Sequence, residues 1–406
     1  MRAVAPLLTA VAGLALLFAG CAAPVTTLRV DSPYRDPGTL EKGQILHAAT
    51  GRLLTREELG AYLAAFPVVY VGETHDNVES HAVQLAVLQE VAARFPGRIA
   101  VGLEMLQRPS QEGVDRWLRG EMDEVSFLKL WQENWGPNTY PYYREILEFA
   151  RENRIPLLAL NAERELRRAL ARTPPEELEP ELRERLPEMD LDDPYYRDFM
   201  GGIFGGHDGG TDMQEGFLRA QVLWDETMAE TAAAYLLGPG RGNRLVVFAG
   251  GNHVRHGFGI PRRLFRRVPL PYVILDTYAV EIPEDKRDRL MQVELPDLPL
   301  RTADLYWATG YEDLEGQRVM LGVQIETAEE GGVRVKGVVP GSPAQAAGVL
   351  AGDVIVSVDG EPVGEMFDLT YRVGLHKPGD VGPLEVLRGE ERLTLEVVYD
   401  VLRHGK

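Results

Sequence analysis

The sequence predicts an α/β fold, a mainly parallel sheet flanked by helices, followed by a small β-rich domain. Three observations carry this. Between about residues 44 and 282, short apolar, β-branched runs alternate with long amphipathic stretches, the pattern of βαβ units around a parallel sheet. A turn-rich segment follows at residues 283–315, with Leu295-Pro296-Asp297-Leu298-Pro299-Leu300 and no sustained period, and reads as a linker. From residue 316 to 402 the chain turns to short β segments separated by glycines.

Taken from the N-terminus, Arg2 and the apolar run Ala3 to Phe18 read as a secretory signal peptide, residues 1–20, too short to span a bilayer comfortably. Leu17-Phe18-Ala19-Gly20-Cys21 resembles the bacterial lipobox, in which the cysteine is acylated (palmitate being one such chain); Phe18 replaces the usual aliphatic residue. Cys21 is the only cysteine, which excludes an intrachain disulfide and a thiolate metal cluster. Several acyl chains on one cysteine anchor a protein durably. Ala22-Ala23 lack the aspartate that retains many lipoproteins at the inner membrane, so the expected address is the outer membrane, facing the periplasm. Residues 21–43, carrying prolines and no period, read as a tether. With 43 basic and 62 acidic residues the formal charge is −19, which disfavours nucleic-acid and anionic-lipid partners.

Within the larger domain, residues 44–282, the expected strands are Val68 to Val71, Ile99 to Leu103, Pro156 to Leu160, Leu245 to Phe248 and Tyr272 to Leu275. Runs this short, bounded by turn signals, read as fully buried parallel strands. The expected helices include Val78 to Phe95, Tyr142 to Glu152 and Met213 to Leu237. Polar residues collect where the strands end: Glu73 and His75, Glu104, Asn161 and Glu163, Asn252 and His253. In an open α/β sheet ligands bind beyond the carboxyl ends of the strands. Two imidazoles with one or two carboxylates match the ligand types of a divalent transition metal, which could generate a nucleophilic water with Glu73 or Glu104 as general base. Each residue alone also fits a plainer role, such as Glu104 capping the next helix or Asp76-Asn77 forming an N-cap. His256 falls in a glycine-rich loop and reads as peripheral.

The segments Val71-Gly72-Glu73-Thr74-His75-Asp76-Asn77, Gly102-Leu103-Glu104-Met105-Leu106, Ala159-Leu160-Asn161-Ala162, Gln221-Val222-Leu223-Trp224-Asp225-Glu226-Thr227-Met228-Ala229 and Gly251-Asn252-His253-Val254 resemble the ChaN family, bacterial haem-binding lipoproteins of the Tiki/erythromycin-esterase-like superfamily. The resemblance implies haem or iron handling at the cell envelope, with haem held cofacially between two protomers of a homodimer. The wider superfamily includes metal-dependent peptidases and hydrolases. Carried over, it makes Glu73, His75, Glu104 and His253 the metal or catalytic candidates. Haem requires an axial ligand, for which tyrosine, histidine and methionine remain available. Tyr195, Tyr196, Arg197 and His207, around the glycine-rich Gly201 to Gly206, are the haem-contact candidates, with Arg197 suited to a propionate. The same segment also fits a helical aromatic face followed by a surface loop. Tyr140-Pro141-Tyr142-Tyr143 competes for the role and reads as core.

The stretch from Val339 to Gly360, with Gly341-Ser342-Pro343 and Gly352-Asp353-Val354, resembles the PDZ domains of bacterial proteases, and Met320-Leu321-Gly322-Val323 matches their carboxylate-binding loop. A peptide C-terminus would add a strand to the sheet edge there, beside a helix from Phe367 to Val373. Two functions follow as expectations: an envelope lipoprotein that binds haem, with the PDZ module taking a peptide or protein partner; or a metal-dependent hydrolase or peptidase using the strand-end site.

Overall fold

The computed structural model describes residues 34–205, 211–289, 298, 300–314, 319–329 and 331–402. Cys21 and His207 lie outside these residues. The first domain is built on eight strands: β1 (Ile45–His47), β2 (Arg52–Leu54), β3 (Val68–Glu73), β4 (Ile99–Gln107), β5 (Leu157–Asn161), β6 (Arg244–Gly250), β7 (Tyr272–Glu281) and β8 (Leu305–Gly310). They lie in the order β2-β1-β8-β7-β3-β6-β4-β5. From β8 to β5 all pairings are parallel, and the β1–β2 hairpin closes one edge antiparallel.

Burial on both faces explains the apolar runs. All six residues of β3 are buried, and successive side chains point to opposite faces of a strand. Val69, Val71, Val246 and Phe248 join the core on one face, whereas Val68, Tyr70, Leu245 and Val247 join the core on the other. The first face is covered by α1 (Arg56–Leu63), α2 (Val78–Arg94), α3 (Gln111–Leu118), α4 (Glu124–Trp135) and α5 (Tyr140–Glu152). Trp117, Phe127, Trp131 and Tyr143 fill its centre, each almost fully buried. Around the other face run α6 (Arg164–Arg172), α7 (Pro180–Arg183), α8 (Pro194–Phe204), α9 (Thr211–Leu237), α10 (Gly251–Val254) and α11 (Ile260–Arg267). The expected strands and helices are all present, some longer than expected.

The linker expected at residues 283–315 is different. Leu305–Gly310 forms β8, buried along its whole length and inserted between β7 and β1. The apolar run Leu305-Tyr306-Trp307-Ala308 can bury both faces there, and the prolines just before it mask its strand character in the sequence. The chain beyond β8 is pinned to the first domain as well. Asn77 Nδ2 donates to Gly310 O at 2.9 Å, Tyr311 donates to Asp76 at 2.7 Å, and Leu314 N donates to Tyr142 Oη at 2.8 Å.

The second domain holds β9 (Val319–Met320), β10 (Val323–Thr327), β11 (Val333–Val338), β12 (Val354–Val358), β13 (Glu361–Pro362), β14 (Val381–Arg388), β15 (Glu391–Val398) and β16 (Asp400–Val401). Its sheet runs β10-β11-β12-β14-β15, with β13 paired to β12 and β16 to β9. Two helices, α12 (Pro343–Ala346) and α13 (Met366–Gly374), complete it. Its core, including Val333, Ile355, Leu384 and Val397, is separate from the cores of the first domain. Among the described residues no helix is long and apolar enough to cross a membrane.

Candidate functional site

The strand order reverses around β3: the chain proceeds to β4 and β5 on one side and to β7 and β8 on the other. A crevice is expected beyond the carboxyl ends at such a point. β3 ends on Glu73, and Thr74-His75-Asp76 turn the chain before Asn77, whose side chain caps α2 by accepting from Glu79 N at 3.2 Å. β6 ends on Gly250, and the single turn of α10 starts at once and buries His253. Glu104 comes from the adjacent β4, next to the last residue paired with β6.

These side chains meet. His75 Nδ1 pairs with Glu73 Oε1 at 2.7 Å, and its Nε2 lies 4.0 Å from Glu104 Oε1. His253 Nε2 lies 3.3 Å from the same Glu104 oxygen, while its Nδ1 pairs with Asp225 of α9 at 2.7 Å. Gly250 N donates to the other Glu104 oxygen at 2.7 Å. The result is an alternating series, Glu73, His75, Glu104, His253, Asp225, in which every member but His75 is buried. Gly250 is required by it, since a Cβ there would stand 2.8 Å from His75 Nε2.

Electrostatics follow from the alternation. Burial would raise the pKa of Glu104, but the two imidazoles and the Gly250 amide outweigh it and hold the carboxyl down to about 2. Burial likewise opposes the charge on Glu73, and His81, His75 and the Tyr143 hydroxyl bring its pKa below the usual value. For the imidazoles burial disfavours the proton, yet the flanking carboxylates raise His75 and raise His253 well above the ordinary histidine value. Burial and Glu73 push the Tyr143 phenol well above 10, so it stays a donor.

Further groups complete the site that the sequence did not single out. Tyr143 donates to Glu73 Oε1, Gln84 donates to Glu73 Oε2, and His81 Nδ1 lies 3.6 Å from Glu73 Oε2. Tyr143, read from the sequence as core, is indeed fully buried, but its hydroxyl serves the site. For His81 and Gln84 the signal is the polar set Ser80, His81 and Gln84, buried on one stripe of α2. Tyr143→Phe removes one donor from a buried carboxylate. It is expected to lower stability by about 1–3 kcal/mol, read as a shifted urea midpoint at unchanged slope.

The series forms part of the lining of a cavity of about 860 Å³, whose other walls include Trp135, Met200, Ile203, Phe217, Trp224, Arg164 and Arg167. His75 keeps 43 % of its side chain exposed, with its ring edge-on to Trp135 at 5.0 Å. Of the haem-contact candidates, Tyr195, Tyr196 and Arg197 lie on α8 outside the cavity lining. Tyr196 is buried and its hydroxyl donates to Asp225 at 2.6 Å, extending the series by one group. Tyr195 is 53 % exposed and stacks on Phe258 at 5.9 Å. Arg197 pairs with Glu215 at 2.5 Å. Met200 and Ile203, on the same stripe of α8 as Tyr196 but one and two turns further on, line the cavity instead, while Tyr195 falls to one side of that stripe. His256 sits apart from the series, its ring stacked on Phe258 at 5.1 Å.

The expected divalent transition metal gains no support from the geometry. Among the described residues no group of three or more His, Cys, Asp or Glu side chains could hold a metal ion. Both Nδ1 atoms pair with carboxylates, which leaves only the Nε2 atoms for a ligand. Haem fits better, since a cavity of this size with aromatic walls and a few polar groups is typical of small-molecule sites. In the second domain, Leu321 is buried, Gly322 takes φ +78°, and Val323 opens β10, whose outer edge is unpaired in the sheet. Met320 is exposed beside it.

Comparison with known proteins agrees with this geometry. The family model described as haem-binding uptake, Tiki superfamily, ChaN matches residues 60–264, about half of the chain, and a PDZ model matches residues 319–398. A solved structure described as "Cofacial heme binding to ChaN of Campylobacter jejuni" superposes with a TM-score of 0.50, covering 65 % of this chain and 95 % of that one. At 16 % identity this speaks to the fold alone. Among curated proteins, the putative serine protease HhoA of Synechocystis sp. is 40 % identical over 79 residues, 19 % of each chain. The periplasmic serine endoprotease DegQ of Escherichia coli is 28 % identical over 158 residues, 39 % of this chain and 29 % of that one. The chain thus spans less than a third of the length of these curated relatives. The match across the strand-end site and its covering helices gives the assignment: the chain belongs to the haem-binding uptake family of the Tiki superfamily, the ChaN family, and carries a PDZ domain behind that unit.

Proposed function

We propose that this protein is an envelope lipoprotein that binds haem for iron uptake or haem handling, with its PDZ domain recruiting a partner through a peptide C-terminus. The carrying observation is the cavity of about 860 Å³, which joins Met200, Ile203, Phe217, Trp135 and Trp224 to the polar strand ends. The apolar and aromatic groups suit the faces of a porphyrin, and the polar ones fix its orientation. Anchoring through Cys21 at the outer membrane and pairing of protomers around cofacial haem belong to the same reading, which follows from the lipobox and the family.

Titrating the full chain with haem is expected to give a Soret band that saturates at one haem per protomer, with the protein shifting to a dimer by light scattering. A chain that takes up no haem overturns the reading. The alternative, a metal-dependent hydrolase, draws on one observation: the Nε2 atoms of His75 and His253 both lie near Glu104. Elemental analysis of the chain before haem is added separates the two, because only the hydrolase requires stoichiometric transition metal in the haem-free protein, lost in His253→Ala.

A further inference from the structure

The start of α6 has the sequence Arg164-Glu165-Leu166-Arg167-Arg168, and Arg164 and Arg167 both line the cavity. Residues three apart share a helix face. In a chain of net charge −19, the other arginine of this cavity wall has a carboxylate: Arg255 pairs with Asp276 at 2.8 Å. Neither Arg164 nor Arg167 has an acidic partner among the described residues. Their sequence neighbours Glu163 and Glu165 are both taken by Arg185.

Arg167 is half-buried, with its guanidinium 4.7 Å from the ring centre of Trp224. Arg164 spends one nitrogen on backbone carbonyls, donating to Glu133 O at 3.1 Å, and keeps the rest of its fork for the cavity. Like charges crowded on one helical face cost stability. Arg164 is exposed, but Arg167 is half-buried without a counter-ion, which costs more. Burial and the Arg164 and Arg168 charges accordingly weaken the hold of Arg167 on its own proton. A wall of this kind is built for an anion that arrives with the ligand.

We propose that the Arg164–Arg167 face is a carboxylate subsite, which receives the propionate side chains of a bound porphyrin. This rests on the haem reading above and adds the orientation. A guanidinium fork matches a carboxylate bidentately, two arginines match two propionates, and Trp224 beneath Arg167 offers a flat surface to the ring. Of the other charged groups in the lining, Glu73 and Glu104 would repel a carboxylate, His75 and His253 are flanked by them, and Arg255 is already paired with Asp276. The propionate edge therefore faces α6, and the other edge of the ring points elsewhere in the cavity.

The test is a spectroscopic titration of the full chain with three probes: haem, haem dimethyl ester and metal-free protoporphyrin IX. The wild-type chain is expected to bind haem at least about tenfold more tightly than the ester, since each charge-assisted pair carries a large share of affinity. Protoporphyrin IX should show the same dependence on free carboxylates, because the subsite does not involve the iron. Arg164→Gln/Arg167→Gln is expected to bind haem and ester alike, with circular dichroism unchanged, and Arg167→Lys to keep part of the preference. Equal binding of haem and ester by the wild-type chain overturns the subsite while leaving the haem reading intact. So does a preference that survives in the double variant. Failure of the wild-type chain to bind any of the three overturns the haem reading, and the subsite with it.

Discussion

Glu104→Ala is expected to destabilise the protein by about 3–5 kcal/mol at neutral pH, the usual cost of removing one partner from a buried ion pair. Glu104 is almost fully buried and stands between His75 and His253. Its loss leaves two imidazoles facing a void that only Gly250 N and solvent could fill. Chemical denaturation reads the effect, and an unchanged midpoint would contradict the network described above. The wild-type pH profile carries the same signature. Glu104 is held at about 2 in the folded state. Against an unfolded value of about 4.3, its contribution is present above that pH and lost as the pH falls toward about 2. His253 is raised when folded, so its contribution is present below about 6.5 and is lost as the pH climbs through the raised value. Both contributions coexist between about pH 4.5 and 6.5. Stability should therefore fall on either side of that window, and Glu104→Ala should flatten both slopes.

Gly322→Ala is expected to weaken the peptide capture proposed for the second domain at least about tenfold. Gly322 takes φ +78°, and a Cβ there would stand 2.2 Å from the Ser342 Cβ. The left-handed backbone alone costs about 1–2 kcal/mol for a non-glycine residue, and the clash forces the loop away from Ser342 as well. Gly322 O accepts from Val339 N at 2.9 Å and Leu321 O from Ala344 N at 2.9 Å, so the loop cannot move without losing these bonds. Affinity for a labelled peptide with a free apolar C-terminus should fall at least about tenfold, while haem uptake by the first domain is unchanged. A C-terminally amidated peptide serves as the control, since the role proposed for the loop is to face a carboxylate with backbone N–H groups. Retained affinity in the variant would rule out this loop as the carboxylate site.

The strands that carry the site were readable because β3 and β6 are apolar on both faces, which only a covered parallel sheet tolerates. Glu73, His75, Glu104 and His253 could be suspected of meeting because they follow such runs. Asp225 and Tyr196 could not be placed beside His253 from sequence, since α9 and α8 reach it only through the packing of the second face. Tyr143 looked like core because it is core, and one hydroxyl within an aromatic cluster leaves no periodic trace. Arg164 and Arg167 look like ordinary surface arginines until their missing partners are noticed. Met200 and Ile203 share a helix with Tyr195-Tyr196 and face the cavity, but two apolar residues in an apolar helix carry no sequence mark of a lining role.

The place of β8 between β7 and β1 has a practical side. A fragment cut at residue 283, where composition marks the end of the first domain, would lack the strand that pairs with both. β7 would then present a bare ladder of N–H and C=O groups, and the short β1–β2 hairpin would have nothing to lean on. Open edges of this kind recruit other chains, so such a fragment should aggregate, whereas one ending at residue 314 keeps its edge covered.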